Sequence, residues 1–305
     1  NTAALAFGGS TPPRTVATEE FNTGVPVGAW STGGNLNTAR DALSGAGTQT
    51  AALAFAGETP SEVTLTESYN GSSWTEVNDL NLARGQGAGA GATNTAALAF
   101  GGQAPSLSPN ASSRTETWNG TNWTEVNDLN VGRRGFAGCG TNTSALGFGG
   151  YTAPKQQTEL WNGTNWTEVN NLNTARSSLA GAGANNTAAL GFGGYGGGPK
   201  NETELWNGTN WTEVNNLNTG RYGISGTGTQ TSALAFGGQP SVGLTETWNG
   251  TNWTETTDLN VARSQMGTSG ANNTSALAFG GAAPSFSAAT EEWNIPGIIT
   301  KTLTS

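Results

Sequence analysis

Four glutamates, Glu116, Glu159, Glu204 and Glu246, each stand two positions before a tryptophan, and an arginine returns every 42 to 49 residues at Arg40, Arg84, Arg133, Arg176, Arg221 and Arg263. Carboxylates at recurring positions are what acid–base chemistry at a glycosidic bond would need. Here they repeat with the chain. A catalytic residue breaks the symmetry of a repeat protein, whereas these define it. The reading that follows is a hydrogen-bond or ion-pair network, one per repeat, between the Glu and the Arg. The chain has no histidine, which removes Ser-His-Asp and Cys-His catalysis and His-ligated zinc. No Asp-rich calcium loop and no phosphate loop ending in Lys-Ser/Thr is present. The sequence therefore predicts no catalytic residues, no metal site, no cofactor and no enzyme activity.

Two further motifs have structural readings. Cys139, the single cysteine, sits in a small-residue run where other repeats carry Ala or Thr, and reads as a buried filler. Asn-Gly-Thr and Asn-Trp-Thr fit the glycosylation acceptor pattern, but the Asn-Gly pairs fall where a tight hairpin needs them. Only 11% of residues are charged, 12 of them cationic, and the net charge is −9. That excludes a basic stripe for nucleic acid. No apolar run approaches the ~20 residues of a membrane span. A surface of Thr, Asn, Ser and Gly suits a protein exposed to the medium. The chain opens inside a repeat, at Asn1, which reads as a processed product or a piece of a longer chain.

These residues are positioned by units of 42 to 49 residues, counted from Arg to Arg. Each unit has an Arg, a small Gly-rich run, an Ala-Leu-Ala-Phe-Gly-Gly run, a Thr-Glu-x-Trp run and a Trp-Thr-Glu-Val run. A period of this size marks a repeat architecture. Strand-length runs with frequent turns predict an all-β chain. Asn-Gly at Gly163, Gly208 and Gly250 supplies the positive φ of a hairpin between the third and fourth runs. Four antiparallel strands per unit, glycine-rich on the inside, make a propeller blade.

In this order of features the chain resembles the kelch repeat across essentially its whole length. Its near-identical Trp-Asn-Gly-Thr-x-Trp-Thr-Glu-Val cores resemble the kelch-like repeat proteins of marine bacteriophages and environmental bacteria. The resemblance implies a kelch-like β-propeller forming a single domain over residues 1–305. Seven second strands, seven third and seven fourth can be counted, the last being Ile298–Thr304, against six Arg-led first strands. The expectation is seven blades with an incomplete first one, at 1–38, 39–82, 83–131, 132–174, 175–219, 220–261 and 262–305.

The loops from the second strand to the third vary freely in length, at 10–17, 58–65, 103–114, 151–157, 195–202, 239–244 and 282–289. Antiparallel geometry puts them on one face, with the blade-to-blade crossovers. Variable loops on a rigid scaffold are where recognition lives. Gln103, Leu107, Tyr151, Lys155, Tyr195, Lys200, Gln239 and Phe286 are the candidate binding residues. The resulting expectation is a non-enzymatic structural or recognition module at a virion or extracellular surface. As a bacteriophage fibre, spike or decoration it would contact host glycan or protein, or neighbouring subunits of an assembly. A bacterial adhesin or carbohydrate-binding propeller is the alternative.

Overall fold

A computed structural model describes residues 3–9, 15–22, 28–107, 110–151, 156–240, 243–282 and 285–295. The chain begins with β1 (Ala3–Gly9) and β2 (Thr15–Asn22), which pair only with each other, and β3 (Ala29–Thr32). Blade one is β4 (Ser44–Thr48), β5 (Ala51–Phe55), β6 (Thr66–Tyr69) and β7 (Trp74–Glu76). Blade two runs from β8 (Ala88–Thr93) and β9 (Ala96–Phe100) to β10 (Thr115–Trp118) and β11 (Trp123–Val126). Blade three is β12 (Ala137–Thr141), β13 (Ser144–Phe148), β14 (Thr158–Trp161) and β15 (Trp166–Val169). Blade four is β16 (Ala180–Asn185), β17 (Ala188–Phe192), β18 (Thr203–Trp206) and β19 (Trp211–Val214). Blade five is β20 (Ser225–Thr229), β21 (Ser232–Phe236), β22 (Thr245–Trp248) and β23 (Trp253–Glu255). Blade six is β24 (Gly267–Asn272), β25 (Ser275–Phe279) and β26 (Thr290–Asn294), completed by β3.

The protein is thus an all-β propeller of six four-stranded blades, which corrects the expectation of seven. The described residues of 1–38 do not make a blade. Their fourth-strand segment, β3, pairs antiparallel with β26, Trp30 opposite Trp293, and closes the ring. Ile298–Thr304, expected to be the last outer strand, lies outside the described residues. The count of first strands was the right guide, because blades are built outward from the strand nearest the axis.

Every seam between blades uses the same parts. The Phe that ends a second strand packs on the fourth-strand Trp of the next blade, as in Phe55–Trp123, Phe148–Trp211 and Phe236–Trp30, with ring centroids 4.8–5.0 Å apart. Such pairs add ~0.5–1.5 kcal/mol beyond their area burial. The same Trp donates its indole N–H to the third-strand Thr of the preceding blade, 3.0 Å in each case. Trp74 to Thr290, Trp123 to Thr66, Trp166 to Thr115, Trp211 to Thr158, Trp253 to Thr203 and Trp30 to Thr245 form a closed circuit. The inner strands alternate with glycine to admit these aromatics: a Cβ on Gly181 would lie 2.7 Å from the Phe148 ring.

One irregularity of sequence is compensated across a seam. Five blades carry Gly-Gly after the second strand; blade one carries Ala56-Gly57. A Cβ on Gly101 would meet Phe136 at 2.5 Å, and one on Gly149 would meet Leu179 at 2.7 Å. The residue of blade two at that place is Gly87, which leaves room for the Ala56 methyl.

Inside each blade the repeated Arg and Glu are buried together. Arg84–Glu116, Arg176–Glu204, Arg221–Glu246 and Arg263–Glu291 approach to 2.7–3.0 Å, and Arg40–Glu67 and Arg133–Glu159 are also paired. The second carboxylate oxygen accepts from the backbone and side-chain N–H groups of the crossover Asn, as Glu204 does from Asn173 at 2.7 and 2.9 Å. Each Arg also donates to carbonyls, Arg263 to Gly280 at 2.8 Å and Ala289 at 2.7 Å. These ion pairs fix how the chain enters each blade.

Candidate functional site

The buried Arg anchors the two residues that follow it, and these surround the mouth of the axial channel. The second residue after each Arg is Ala42, Gln86, Gly135, Ser178, Gly223 or Gln265, all at φ between 50° and 58°. Their backbones join in a ring. Gln86 donates its N–H to the carbonyl of Ala42, Gly135 to Gln86, Ser178 to Gly135, Gly223 to Ser178, Gln265 to Gly223 and Ala42 to Gln265, at 2.7–3.0 Å. A ring of this kind closes only with a fixed number of blades, and four of its six members carry a left-handed backbone on a side chain that disfavours it.

The first residue after each Arg is tied to the residue after the Gly-Gly pair or its Ala56-Gly57 equivalent. Asp41 bridges Glu58, Gly85 bridges Gln103, Ser177 bridges Tyr195, Tyr222 bridges Gln239 and Ser264 bridges Ala282. In blade three Tyr151 donates its N–H to the Arg134 carbonyl at 2.9 Å. Three rim positions per blade are therefore held by backbone bonds and not by their side chains. No two blades carry the same trio. Behind the rim lies a channel cavity of about 160 Å³, lined in blade one by Ala42, Leu43, Ser44 and Gly45 and by the same four positions of the other blades.

The rim is chemically divided. Blades one to three hold its charges, Asp41, Glu58 and Arg134. Gln86 donates to Glu58 at 3.3 Å, and Gln103 donates to neighbouring Glu62 at 2.8 Å while accepting from Arg134. Burial, then the Glu58 charge, pushes the Asp41 carboxyl up to about 6. Burial likewise raises Glu58, opposed by the hydrogen bond from Gln86. The trios of blades four to six, Ser177 to Ala282, are uncharged. Of the four tyrosines in the chain, three are at the mouth: Tyr151, Tyr195 and Tyr222. Tyr195 and Tyr222 meet edge to face at 5.3 Å. Tyr151 lies under the Arg134 guanidinium, 5.8 Å from its ring centroid, and its hydroxyl accepts from Ser178 at 3.0 Å.

Of the residues predicted from sequence, Gln103, Tyr151, Tyr195 and Gln239 come together on this rim. Phe286, exposed, bridges Ala282 and stands outside it. Lys200 is paired with Glu202 at 3.0 Å, and its backbone bonds Gly194 and Arg221. Leu107 is half-buried in a turn that its N–H closes on Ala104. Lys155 lies outside the described residues. Sequence reasoning missed Asp41, Glu58, Gln86, Arg134, Tyr222 and Gln265. The signal was present: the residue after the constant Arg is Asp, Gly, Arg, Ser, Tyr and Ser in turn.

Cys139 is buried in the channel wall, its thiol pushed up to about 12 by burial, and is inert as a nucleophile. Among the described residues no group of three His, Cys, Asp or Glu side chains is placed to hold a metal ion.

The chain matches no protein-family model and no curated protein. Among solved structures it is similar to that of YjhT, with a TM-score of 0.69 over 86% of this chain and 96% of that one, at 13% identity. That likeness is one of fold.

Proposed function

We propose that the chain is a non-enzymatic recognition propeller of kelch-like type, displayed on a particle surface, and that its setting is a bacteriophage virion. There it serves as a fibre, spike or decoration that contacts the host or a neighbouring subunit. One observation carries the reading. A chain that repeats itself almost verbatim keeps its non-repeating residues on one face, in the loops after the second strands and at the axial mouth, and at the mouth their backbone is fixed. Variation carried on a rigid scaffold is the layout of a recognition surface. The carboxylates that recur per blade are consumed in buried ion pairs, which leaves them no part in chemistry at a substrate. A bacterial extracellular adhesin would use the same rim.

The test replaces the rim side chains of blades three to five by those of blade six: Arg134→Ser, Tyr151→Ala, Tyr195→Ala and Tyr222→Ser. Labelled protein is incubated with intact bacterial cells and with purified virions. The variant should fold and lose attachment. Full attachment by the folded variant would overturn the proposal. Association with virions rather than cell envelopes separates the phage setting from the adhesin.

A further inference from the structure

Resting on that reading, we propose that the mouth over blades four to six is a binding site for an uncharged saccharide. Tyr195 and Tyr222 present their rings at 69° to each other, each at least partly open to solvent. Tyrosine joins a flat apolar face to a hydroxyl. A pyranose ring offers the complement, a patch of C–H groups edged by hydroxyls.

Three observations narrow the class. First, all nine rim positions of blades four to six are uncharged, from Ser177 to Ala282, so nothing there selects an ionic ligand or balances the desolvation of one. Second, amides and hydroxyls flank the tyrosines. Gln239 donates to Ser264 at 3.2 Å through its nitrogen, and Gln265 stands at the ring position beside them. Third, the cavity behind the rim is walled by the first strand of each blade, which has a ladder partner on one edge only. The other edge turns its backbone N–H and C=O groups to the channel, apart from the carbonyls of Gly226 and Met266, which already accept from Thr268 and Ser225. An apolar peptide side chain entering there would strand those groups, whereas ring hydroxyls can bond them. The charged half of the rim, around Asp41 and Glu58, takes no part.

Saturation-transfer NMR on the intact chain, with the methyl glycosides of glucose, galactose, mannose and N-acetylglucosamine, tests the proposal. At least one glycoside should receive saturation, strongest on its ring C–H protons. Tyr195→Ala/Tyr222→Ala, checked for fold by circular dichroism, should weaken binding roughly tenfold or more, as expected for lost aromatic contacts. Thr121→Ala/Thr164→Ala, exposed at the opposite hairpin end, should bind as the parent does. The proposal is overturned if no glycoside responds, if the response survives loss of both tyrosines, or if it disappears with the hairpin variant. Attachment of the tyrosine variant to cells and virions is measured alongside. Attachment lost with no glycoside response sinks the saccharide and spares the recognition face. A glycoside response with attachment intact in the tyrosine variant supports the saccharide site and counts against the wider reading.

Discussion

At the hairpin end of the blades, the side-chain oxygens of Asn119, Asn162, Asn207 and Asn249 each accept two backbone N–H groups at 2.9–3.0 Å, and the glycine that follows has φ of 91–93°. At the mouth, the first and second strands of each blade are flanked by trios that differ from blade to blade. Four of them place Ala, Gln or Ser where glycine would be relaxed, and one holds two carboxylates against each other. The hairpin end obeys every local rule of turn chemistry. The mouth breaks several and is held in place by the seams and ion pairs beneath it. Local rules broken at one place and obeyed elsewhere are what a working surface on a stable scaffold looks like.

The largest expected effect tests the scaffold side of this contrast. Arg176→Ala leaves Glu204 buried without its partner and should cost about 3–5 kcal/mol in chemical denaturation. The rim substitution Arg134→Ser should stay within about 0.5 kcal/mol. Equal losses would erase the distinction between scaffold and rim.

A smaller effect sharpens the role of the seams. Gly87→Leu drives a side chain toward the Ala56 methyl and should cost about 1–3 kcal/mol. Adding Ala56→Gly recreates the arrangement of the other blades and should recover most of that loss. An additive double-mutant cycle would show that the two positions do not meet.

The smallest concerns the rim's own cost. Asp41 is raised to about 6 in the fold, so its ionised form is disfavoured there. The penalty is complete above that pH and fades as pH falls, vanishing below the ordinary carboxylate value of ~4. Asp41→Asn should therefore raise the melting temperature at pH 8 by about 1–3 °C, and not at pH 3.5. The same gain at both pH values would locate the strain elsewhere.

The propeller class was legible because the period, the Asn-Gly hairpins and the Gly-Gly strand ends all depend on local chemistry. The blade count was legible only in the six Arg-led first strands. The chain holds seven copies of the second, third and fourth strand patterns, and the use of β3 in the last blade depends on a meeting of distant segments that no local pattern records. The rim was half legible. Loop length drew attention to Tyr151 and Tyr195, but Tyr222 and Arg134 lie in a segment whose length varies by one residue at most. Only their identities, compared blade by blade, set them apart. Asp41 and Glu58 become neighbours through a bridge between strand ends, which spacing alone does not reveal.

The strand that seals the ring is made before any of the six blades. Ser31 of β3 bonds Glu292 of β26 across 261 residues of chain. During synthesis, blades one to five can be completed in order from neighbouring residues. Blade six stays three-stranded until β3 is captured, and Trp30 has no Thr245 to bond before then. Until then the blades form an open arc whose last sheet exposes an edge and whose partner for it, β3, is unpaired. Closure is thus the slow, long-range event of assembly. A short peptide of β3 sequence, supplied in excess at that stage, would compete for the same edge.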